Sequence, residues 1–329
     1  PRPNSESNAA DRLRATVSNS DKMSKCLAVN GNSLKFARRV TRSDAFFDSP
    51  QDPFQRDTMI ERNYPADFNA LNASPMDDKI LFDPASHEYT YADTGEKLHS
   101  VTNLISSFFP PFNVHSWAEY KSRTLGTTVQ EQLDLWEHNG LLARHLGTFM
   151  HEQIERSLLK QPVENSFDIT LDDNSKQHLS IESEMRAFEQ FFDEVRPTPF
   201  RTEWQIFERD YNLAGTLDLL AQDYNGDFVL FDWKRSRRMG KEDGYDFVPN
   251  TYNPHSPGLN GLEHLYSTPY VIGCLQQNLY RHILRVGYGI EVKSMYLVAL
   301  NPAFSRYYCL PVPVMDKEIE HILFCIGKH

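Results

Sequence analysis

Two aspartates and a lysine lie close together around one short turn of the sequence. Asp218 precedes an Asn-Gly dipeptide at positions 225–226, and Asp232, Trp233 and Lys234 follow it. The apolar runs that contain these residues flank the dipeptide, which is the strongest short-range signal for a β-hairpin. Two carboxylates and an ammonium group on adjacent strands could hold a divalent cation and stabilise the negative charge that develops when a phosphodiester bond is cut.

The length of the hairpin loop decides whether the two aspartates face each other. A two-residue loop would place Asp218 opposite Trp233, so that Asp218 and Asp232 would lie on opposite faces. A three-residue loop at 224–226, with its glycine in a left-handed conformation, instead places Asp218 opposite Asp232. We predict the three-residue loop, which also brings Lys234 to the same face. The alternative is that these residues only form an exposed ion pair.

Further polar residues suited to such a site lie before and after the hairpin. The segment 147–152 opens a stretch whose apolar spacing predicts an amphipathic helix, from which His151 projects. Glu203 lies in a stretch of strand composition, and it is either a third metal ligand or the acceptor of a buried hydrogen bond. Gln276 and Tyr280 lie four residues apart on one face of a predicted helix, so they can reach into a site together.

In this order, the segments resemble the PD-(D/E)XK nuclease superfamily, in the RecB-like branch that includes the mitochondrial genome maintenance exonucleases. The similarity also takes in residues 100–102 and 215–218, and it covers roughly residues 98–300. Leu217 stands where the motif has proline, a departure that is common in this branch. The resemblance implies an α/β fold with a mixed central β-sheet flanked by helices, as in restriction endonucleases.

The resemblance also implies roles for individual residues. The implied metal ligands are His151, Asp218, Asp232 and the backbone carbonyl of Trp233, with Glu203 as a further candidate. Lys234 is the implied catalytic lysine, and the implied cofactor is Mg²⁺ or Mn²⁺. The residues expected to contact the nucleic acid through the matched motifs are Gln276, Tyr280, Ser100 and Thr102.

A basic cluster directly follows the predicted lysine strand. It contains Arg235, Arg237, Arg238 and Lys241. Arg235 and Arg237 are candidates for phosphate contacts, because cationic side chains beside a metal site can position a nucleic-acid backbone. The alternative is a solvated charged surface. An insertion at about 240–267 comes next, and loops of this length beside a site often act as lids or substrate guides.

Together these expectations describe a Mg²⁺- or Mn²⁺-dependent nuclease whose partner is DNA. We expect an exonuclease that acts on single-stranded ends, with a metal-activated water attacking in line with the leaving group. Two alternatives stay open. One is an RNA endonuclease with the same metal core, and the other is a non-catalytic nucleic-acid-binding protein that retains the fold.

The distribution of charge divides the chain into two regions. The formal net charge is −11, but residues 1–43 contain nine Lys or Arg and three Asp or Glu, so this segment has a net charge of +6 and the rest has −17. We predict a basic, disordered arm and linker over 1–78 and a nuclease domain over 79–329. Binding of nucleic acid would then depend on a local cationic channel rather than on the overall charge.

The cysteines and the apolar residues exclude several classes of protein. Cysteines occur at 26, 274, 309 and 325 with no close pair, which argues against a zinc ribbon, a disulfide framework and an iron–sulfur cluster. No run of 18 apolar residues occurs, so we expect no membrane span. The composition therefore predicts an intracellular protein with reduced thiols and does not indicate its compartment.

Overall fold

A mixed β-sheet forms the centre of the structure, a computed structural model that describes residues 63–172, 174–244 and 246–327. The helices are α1 (Phe68–Leu71), α2 (Val101–Ser107), α3 (Val114–Leu125), α4 (Val129–Leu158), α5 (Glu182–Val195), α6 (Pro269–Tyr288) and α7 (Asp316–Ile326). The strands are β1 (Ile80–Asp83), β2 (Glu88–Tyr91), β3 (Glu96–Ser100), β4 (Ser166–Thr170), β5 (Lys176–Ser180), β6 (Thr198–Glu208), β7 (Leu213–Gln222), β8 (Phe228–Lys234), β9 (Gly240–Asp243), β10 (Asp246–Pro249), β11 (Val292–Ala299) and β12 (Tyr308–Pro311). All of these elements belong to a unit at 39–329, and the predicted basic arm at 1–43 lies outside the described residues.

The central sheet has the strand order β1-β2-β3-β7-β8-β11-β12, and β6 also pairs with β7. The pairs β3–β7 and β8–β11 are parallel, whereas β6–β7 and β7–β8 are antiparallel. Helices pack against this sheet. The prediction of an α/β fold with a mixed sheet flanked by helices is therefore confirmed.

Side chains alternate between the two faces of the central strands. Leu219, Phe231 and Trp233 are buried in a core that also contains residues of α4 and α5. Asp218, Asp232 and Lys234 occupy the intervening positions and point to the other face, because successive side chains of a strand point in opposite directions. Helix α6 lies on that face. The pattern of the strands thus separates the main apolar core from the polar candidates.

The β7–β8 hairpin has the three-residue loop predicted from the sequence. Gln222 pairs with Phe228, the Asp223 amide donates to the Asp227 carbonyl at 3.0 Å, and Gly226 has a φ of 82°. This conformation is left-handed and costs glycine little. The ladder runs from Gln222–Phe228 to Leu219–Phe231, and Asp218 and Asp232 are the next residues on their strands beyond its last pair.

The helices before the site differ from the prediction. Gly147 does not open a helix, because α4 begins at Val129 and runs through the His151 segment. Its start is fixed by a capping box between Thr128 and Glu131, and α3 ends at Gly126 in a left-handed C-cap. The glycine at 147 is tolerated inside a 30-residue helix that tertiary packing supports.

Two stretches predicted as irregular contain regular structure. Residues 161–180, whose polar and acidic composition predicts a surface loop, contain the β4–β5 hairpin, which buries Ile169 and Leu179. The insertion at 240–267 begins with the β9–β10 hairpin and buries Phe247. In both cases a few apolar side chains in a polar stretch suffice to attach a hairpin to the domain.

The described part of the predicted linker, 63–78, packs on the domain. Tyr64 and Phe68 are buried in the main core, and Arg201 of β6 contacts Asp77 at 2.8 Å. The folded part of the chain therefore begins before the boundary predicted at residue 79. Within the described ranges, no helix is long and apolar enough to cross a membrane.

Candidate metal centre

Three potential metal ligands from three elements converge at the end of the β7–β8 hairpin that is remote from its loop. The ligand atoms of His151, Glu203 and Asp218 all lie within 4.8 Å of one another. His151 Nδ1 is 3.5 Å from Glu203 Oε1 and 3.5 Å from Asp218 Oδ2. These residues come from α4, β6 and β7, so the cluster forms only when a helix and two strands are packed together.

Helix α4 directs His151 towards the β8 backbone. His151 Nε2 lies 3.1 Å from the Trp233 carbonyl oxygen, which is a hydrogen-bond distance. When Nε2 carries the proton and donates it to this carbonyl, Nδ1 faces the carboxylates of Glu203 and Asp218. The arrangement brings together the imidazole and the Trp233 carbonyl, both predicted from the sequence as ligands.

The two aspartates are held differently. Asp218 Oδ2 accepts a hydrogen bond from the Trp233 amide at 2.7 Å, and the Asp218 carbonyl accepts one from Thr202 Oγ1 at 2.8 Å. Asp232 is 1% exposed, and its Oδ2 lies 2.6 Å from Lys234 Nζ in a close charge pair. A carboxylate has more lone pairs than this one contact uses, so Asp232 can also bind a cation.

Lys234 is positioned by residues of α6. Its Nζ donates to Gln276 Oε1 at 3.0 Å, and Gln276 Nε2 donates to the Tyr280 hydroxyl at 2.9 Å. Tyr280 is 2% exposed and lies against Gly215, where an added Cβ would be 2.5 Å from the Tyr280 ring. Gly215 therefore provides the space for Tyr280. The Tyr280 hydroxyl holds the Gln276 amide in place, and Gln276 contacts Lys234 directly.

The backbone of Glu203 is strained at the site. Its φ is 46°, although it lies inside strand β6 and is not glycine. Such a conformation costs on the order of 1–3 kcal/mol and persists only when the surroundings impose it. The side chain of Asn69 provides part of that constraint, because its Oδ1 accepts from the Thr202 amide at 2.9 Å and its Nδ2 donates to the Thr202 carbonyl at 3.3 Å. The strain directs the Glu203 carboxylate towards His151.

The site contains more negative than positive groups, which shifts its protonation. Burial alone would lower the pKa of His151, but the carboxylates of Asp218, Glu203 and Asp232 outweigh this effect and raise the pKa to about 9. Burial raises the pKa of Asp218 to about 8, against the opposing effect of His151. Burial would lower the pKa of Lys234, but Asp232 and Asp218 raise it. In the absence of a cation, the site therefore retains protons.

The donor set fits an oxygen-seeking divalent cation. It offers carboxylates, a backbone carbonyl and one imidazole, and the buried carboxylate of Asp232 beside Lys234 adds further oxygen donors. Oxygen donors suit Mg²⁺ and Mn²⁺, and imidazole also occurs as a ligand of transition metals such as Mn²⁺. His151, Asp218, Asp232 and Glu203 would hold the cation.

The basic residues after β8 have separate environments. Arg235 Nε donates to Glu184 Oε1 at 2.7 Å, and the Glu184 side chain is only 2% exposed. The Arg235 guanidinium is thus engaged in a buried ion pair on the α5 side of the sheet. This partner makes the predicted phosphate contact of Arg235 a poor fit to the geometry. Arg237 is exposed in the turn Arg237–Met239 and stays a candidate for that contact.

The Ser100–Thr102 motif lies where β3 joins α2. Ser100 is the N-cap residue of α2, but its side chain makes no capping hydrogen bond. Its backbone is instead the last residue of β3 and pairs with Ala214 of β7. Thr102 lines the same cavity as His151 and Glu203. Of the two, Thr102 is the one with access to a bound ligand.

A cavity of about 460 Å³ adjoins the site and is lined by residues that the sequence analysis missed. Among them are Phe82, His87 and Tyr89 of the β1–β2 hairpin and Glu155 of α4. Burial, followed by the nearby Glu203 and Glu152, raises the pKa of Glu155. The four-residue spacing from His151 to Glu155 was the available signal for this residue. No comparable signal existed for the hairpin, since its approach to the site depends on the β3–β7 pairing.

Comparisons with known proteins identify no family for this chain. No family model matches the sequence, and no curated protein matches it. Among solved structures, the crystal structure of SSO0001 is similar to this chain, with 11% identity over 69% of this chain and 73% of that one and a TM-score of 0.26. A TM-score of this size supports no argument about function, so the geometry of the site alone carries the functional proposal.

Proposed function

We propose that this protein is a metal-dependent nuclease that hydrolyses phosphodiester bonds, with single-stranded DNA ends as its substrate. The observation that supports this most strongly is the convergence of His151, Glu203 and Asp218 beside the Asp232–Lys234 pair. An isolated acidic group would be ordinary on a protein surface. Here three acids, an imidazole and a lysine supported from α6 lie together beside a cavity that His151, Glu203 and Gln276 line.

The residues divide the chemistry between them. A bound Mg²⁺ or Mn²⁺ would act as a Lewis acid towards the phosphoryl oxygens and lower the pKa of a bound water. Asp218, Asp232, Glu203 and His151 supply the ligands, and their backbone and side-chain contacts fix where the cation can bind. The raised pKa of Lys234 keeps its ammonium protonated, so that it can stabilise the negative charge developing on the phosphate.

Gln276 acts as a positioning residue for that ammonium. Its carboxamide accepts from Lys234 and donates to Tyr280, which fixes the orientation of the amide because only its oxygen can accept. The remaining donor capacity of the Lys234 ammonium is directed towards Asp232 and the cavity. This support keeps the lysine ready for substrate, since a flexible four-carbon stem would otherwise lose entropy on binding.

The test is cleavage of end-labelled single-stranded DNA, duplex DNA and RNA in Mg²⁺, Mn²⁺ or EDTA. We expect cation-dependent products from single-stranded DNA, and a loss of about 10²–10³-fold or more in Asp232→Asn and in Lys234→Ala. Lys293→Ala is the matched control, because Lys293 pairs with Asp227 at the opposite end of β8 and is 66% exposed.

The product ladders distinguish the alternatives. Exclusive cutting of RNA at internal positions would replace the proposed substrate by RNA. Tight binding with no cutting of any substrate would replace the enzyme by a binding protein, and cutting that persists in EDTA would contradict the metal requirement.

A further inference from the structure

Three aromatic rings of the β1–β2 hairpin line the cavity that adjoins the proposed metal centre. The ring centroids of Phe82 and Tyr89 are 4.6 Å apart in a stacked arrangement, and the His87 ring lies 5.1 Å from Phe82 and 6.3 Å from Tyr89. All three residues line the same cavity as His151 and Glu203. An aromatic wall and two of the proposed metal ligands therefore share one cavity.

The position of this wall is fixed relative to the ligands. The Tyr89 hydroxyl is 2.9 Å from Thr216 Oγ1, and Thr216 lies two residues before Asp218 in β7 and lines the same cavity. Tyr89 is 3% exposed, so it anchors the hairpin to the strand that supplies a metal ligand. The rings of Phe82 and His87 pack beside Tyr89 and are more exposed to solvent than Tyr89 is.

The turn of the hairpin holds His87 in an unfavourable backbone conformation. His87 has a φ of 55°, which is left-handed. Asp83 stabilises the turn, because its carboxylate accepts from the Ala85 amide at 2.9 Å and from Ser86 Oγ at 2.6 Å. A cross-strand pair explains the stack of Phe82 on Tyr89, since these residues are partners in the ladder. It does not explain why the turn directs an exposed imidazole back over Phe82.

We infer that Phe82 and His87, supported by the buried Tyr89, form a stacking subsite for an unpaired nucleobase adjacent to the phosphate that is cleaved, an inference that depends on the proposed function. Aromatic rings beside a phosphate site are what single-stranded nucleic acids require, because every base has a π-face and stacks without sequence preference. The cavity volume of about 460 Å³ falls in the range of small-ligand sites. Such a subsite recognises a base that is free to leave its duplex, and so favours single-stranded ends.

The test compares an intact single-stranded DNA oligonucleotide with a set of oligonucleotides that each contain one abasic site, placed at a different position in each. Binding is measured by fluorescence anisotropy in Ca²⁺. Wild-type protein should bind the intact strand roughly tenfold more tightly than the strand whose abasic position falls in the subsite. Phe82→Ala and His87→Ala should remove most of that ratio by weakening only the intact strand. Phe82→Leu keeps an apolar contact with Tyr89 but removes the ring, so it should also remove the ratio while retaining the fold.

Tyr224→Ala is the matched control, because Tyr224 is a 79% exposed aromatic residue in the loop at the other end of the β7–β8 hairpin. Equal affinities for intact and abasic strands in wild type, including no measurable binding of either, would overturn the inference, as would an unchanged ratio in Phe82→Leu. A parallel cleavage assay in Mg²⁺ separates the two proposals. Equal cleavage of intact and abasic strands would contradict the proposed subsite but support the proposed nuclease activity.

Discussion

Lys234 and Arg235 are adjacent cations at the end of β8, and each contacts a buried carboxylate on its own side of the sheet. Arg235 and Glu184 form one pair at 2.7 Å, with one cation for one carboxylate. Lys234 and Asp232 form the other at 2.6 Å, but Asp218 also lies close enough to raise the pKa of Lys234. The first pair is balanced and joins β8 to α5. The second lies in a region with surplus negative charge.

The two cation–carboxylate pairs therefore differ in role: the Arg235–Glu184 pair is structural, and we propose a functional role for the Lys234–Asp232 pair. A balanced buried pair has no reason to bind a further ion, and removing one partner leaves the other charge buried and unpaired. A crowded set of carboxylates is costly by itself and becomes favourable when a divalent cation is bound. Substituting a carboxylate by an amide should therefore have opposite effects on the two sides of β8.

The largest expected effect is on the α5 side. We expect Glu184→Gln to lower the free energy of unfolding by about 3 kcal/mol, because Arg235 would lose its charged partner in a mostly buried position. Chemical denaturation measures this value. Glu182→Gln is the matched control on the same helix, since Glu182 is 65% exposed and pairs with Arg186, and it should change stability by only about 0.5 kcal/mol. Equal effects of both variants would show that the buried pair contributes nothing special.

On the α6 side of β8, replacing a carboxylate by an amide should have the opposite effect on stability, and this effect should depend on pH. The folded-state pKa of His151, raised from 6.5 to about 9, gives stability that is present below pH 6.5 and lost as the pH rises through 9. The pKa of Asp218 is raised from 3.8 to about 8, so the unfolded state loses this proton first and stability also falls as the pH rises. Each retained proton corresponds to about 1.4 kcal/mol per pH unit.

Thermal melts in EDTA should show that the Tm falls as the pH rises from 6.5 to about 9. Added Mn²⁺ should raise the Tm, and by a larger amount at the higher pH. Asp218→Asn should flatten the fall, because its amide oxygen can still accept from Trp233 but carries no charge. Asp168→Asn is the control, since Asp168 pairs with His178 where both side chains are more than two-thirds exposed. A pH dependence unchanged by Asp218→Asn would contradict the surplus-charge interpretation.

The smallest expected effect concerns the strained backbone of Glu203. Glu203→Gly should raise the stability of the metal-free protein by about 1 kcal/mol, because glycine adopts positive φ without the steric cost. It should also abolish cleavage by removing a ligand. Arg196→Gly is the matched control, since Arg196 has a φ of 53° as the C-cap of α5, away from the site. It should raise stability and retain cleavage. A loss of stability in Glu203→Gly would show that the strain is not relieved there.

The sequence by itself determined the local parts of the site. The Asn-Gly turn located the hairpin, and the three-residue loop predicted for it gives, with the two-residue alternation, the observed register near Asp218 and Asp232. The four-residue spacing of Gln276 and Tyr280 likewise put them on one side of α6. These features depend on interactions between residues close in sequence, which periodicity and turn chemistry report directly.

The partner of each charged group depends on tertiary packing. Lys234 and Arg235 are equivalent as residues of a basic run, yet packing of α5 and α6 on opposite faces gives one Glu184 and the other Gln276. The aromatic wall of the β1–β2 hairpin reaches the site through the β3–β7 pairing, between segments more than 100 residues apart. Such contacts depend on which surfaces bury one another, and no local pattern in the chain encodes that choice.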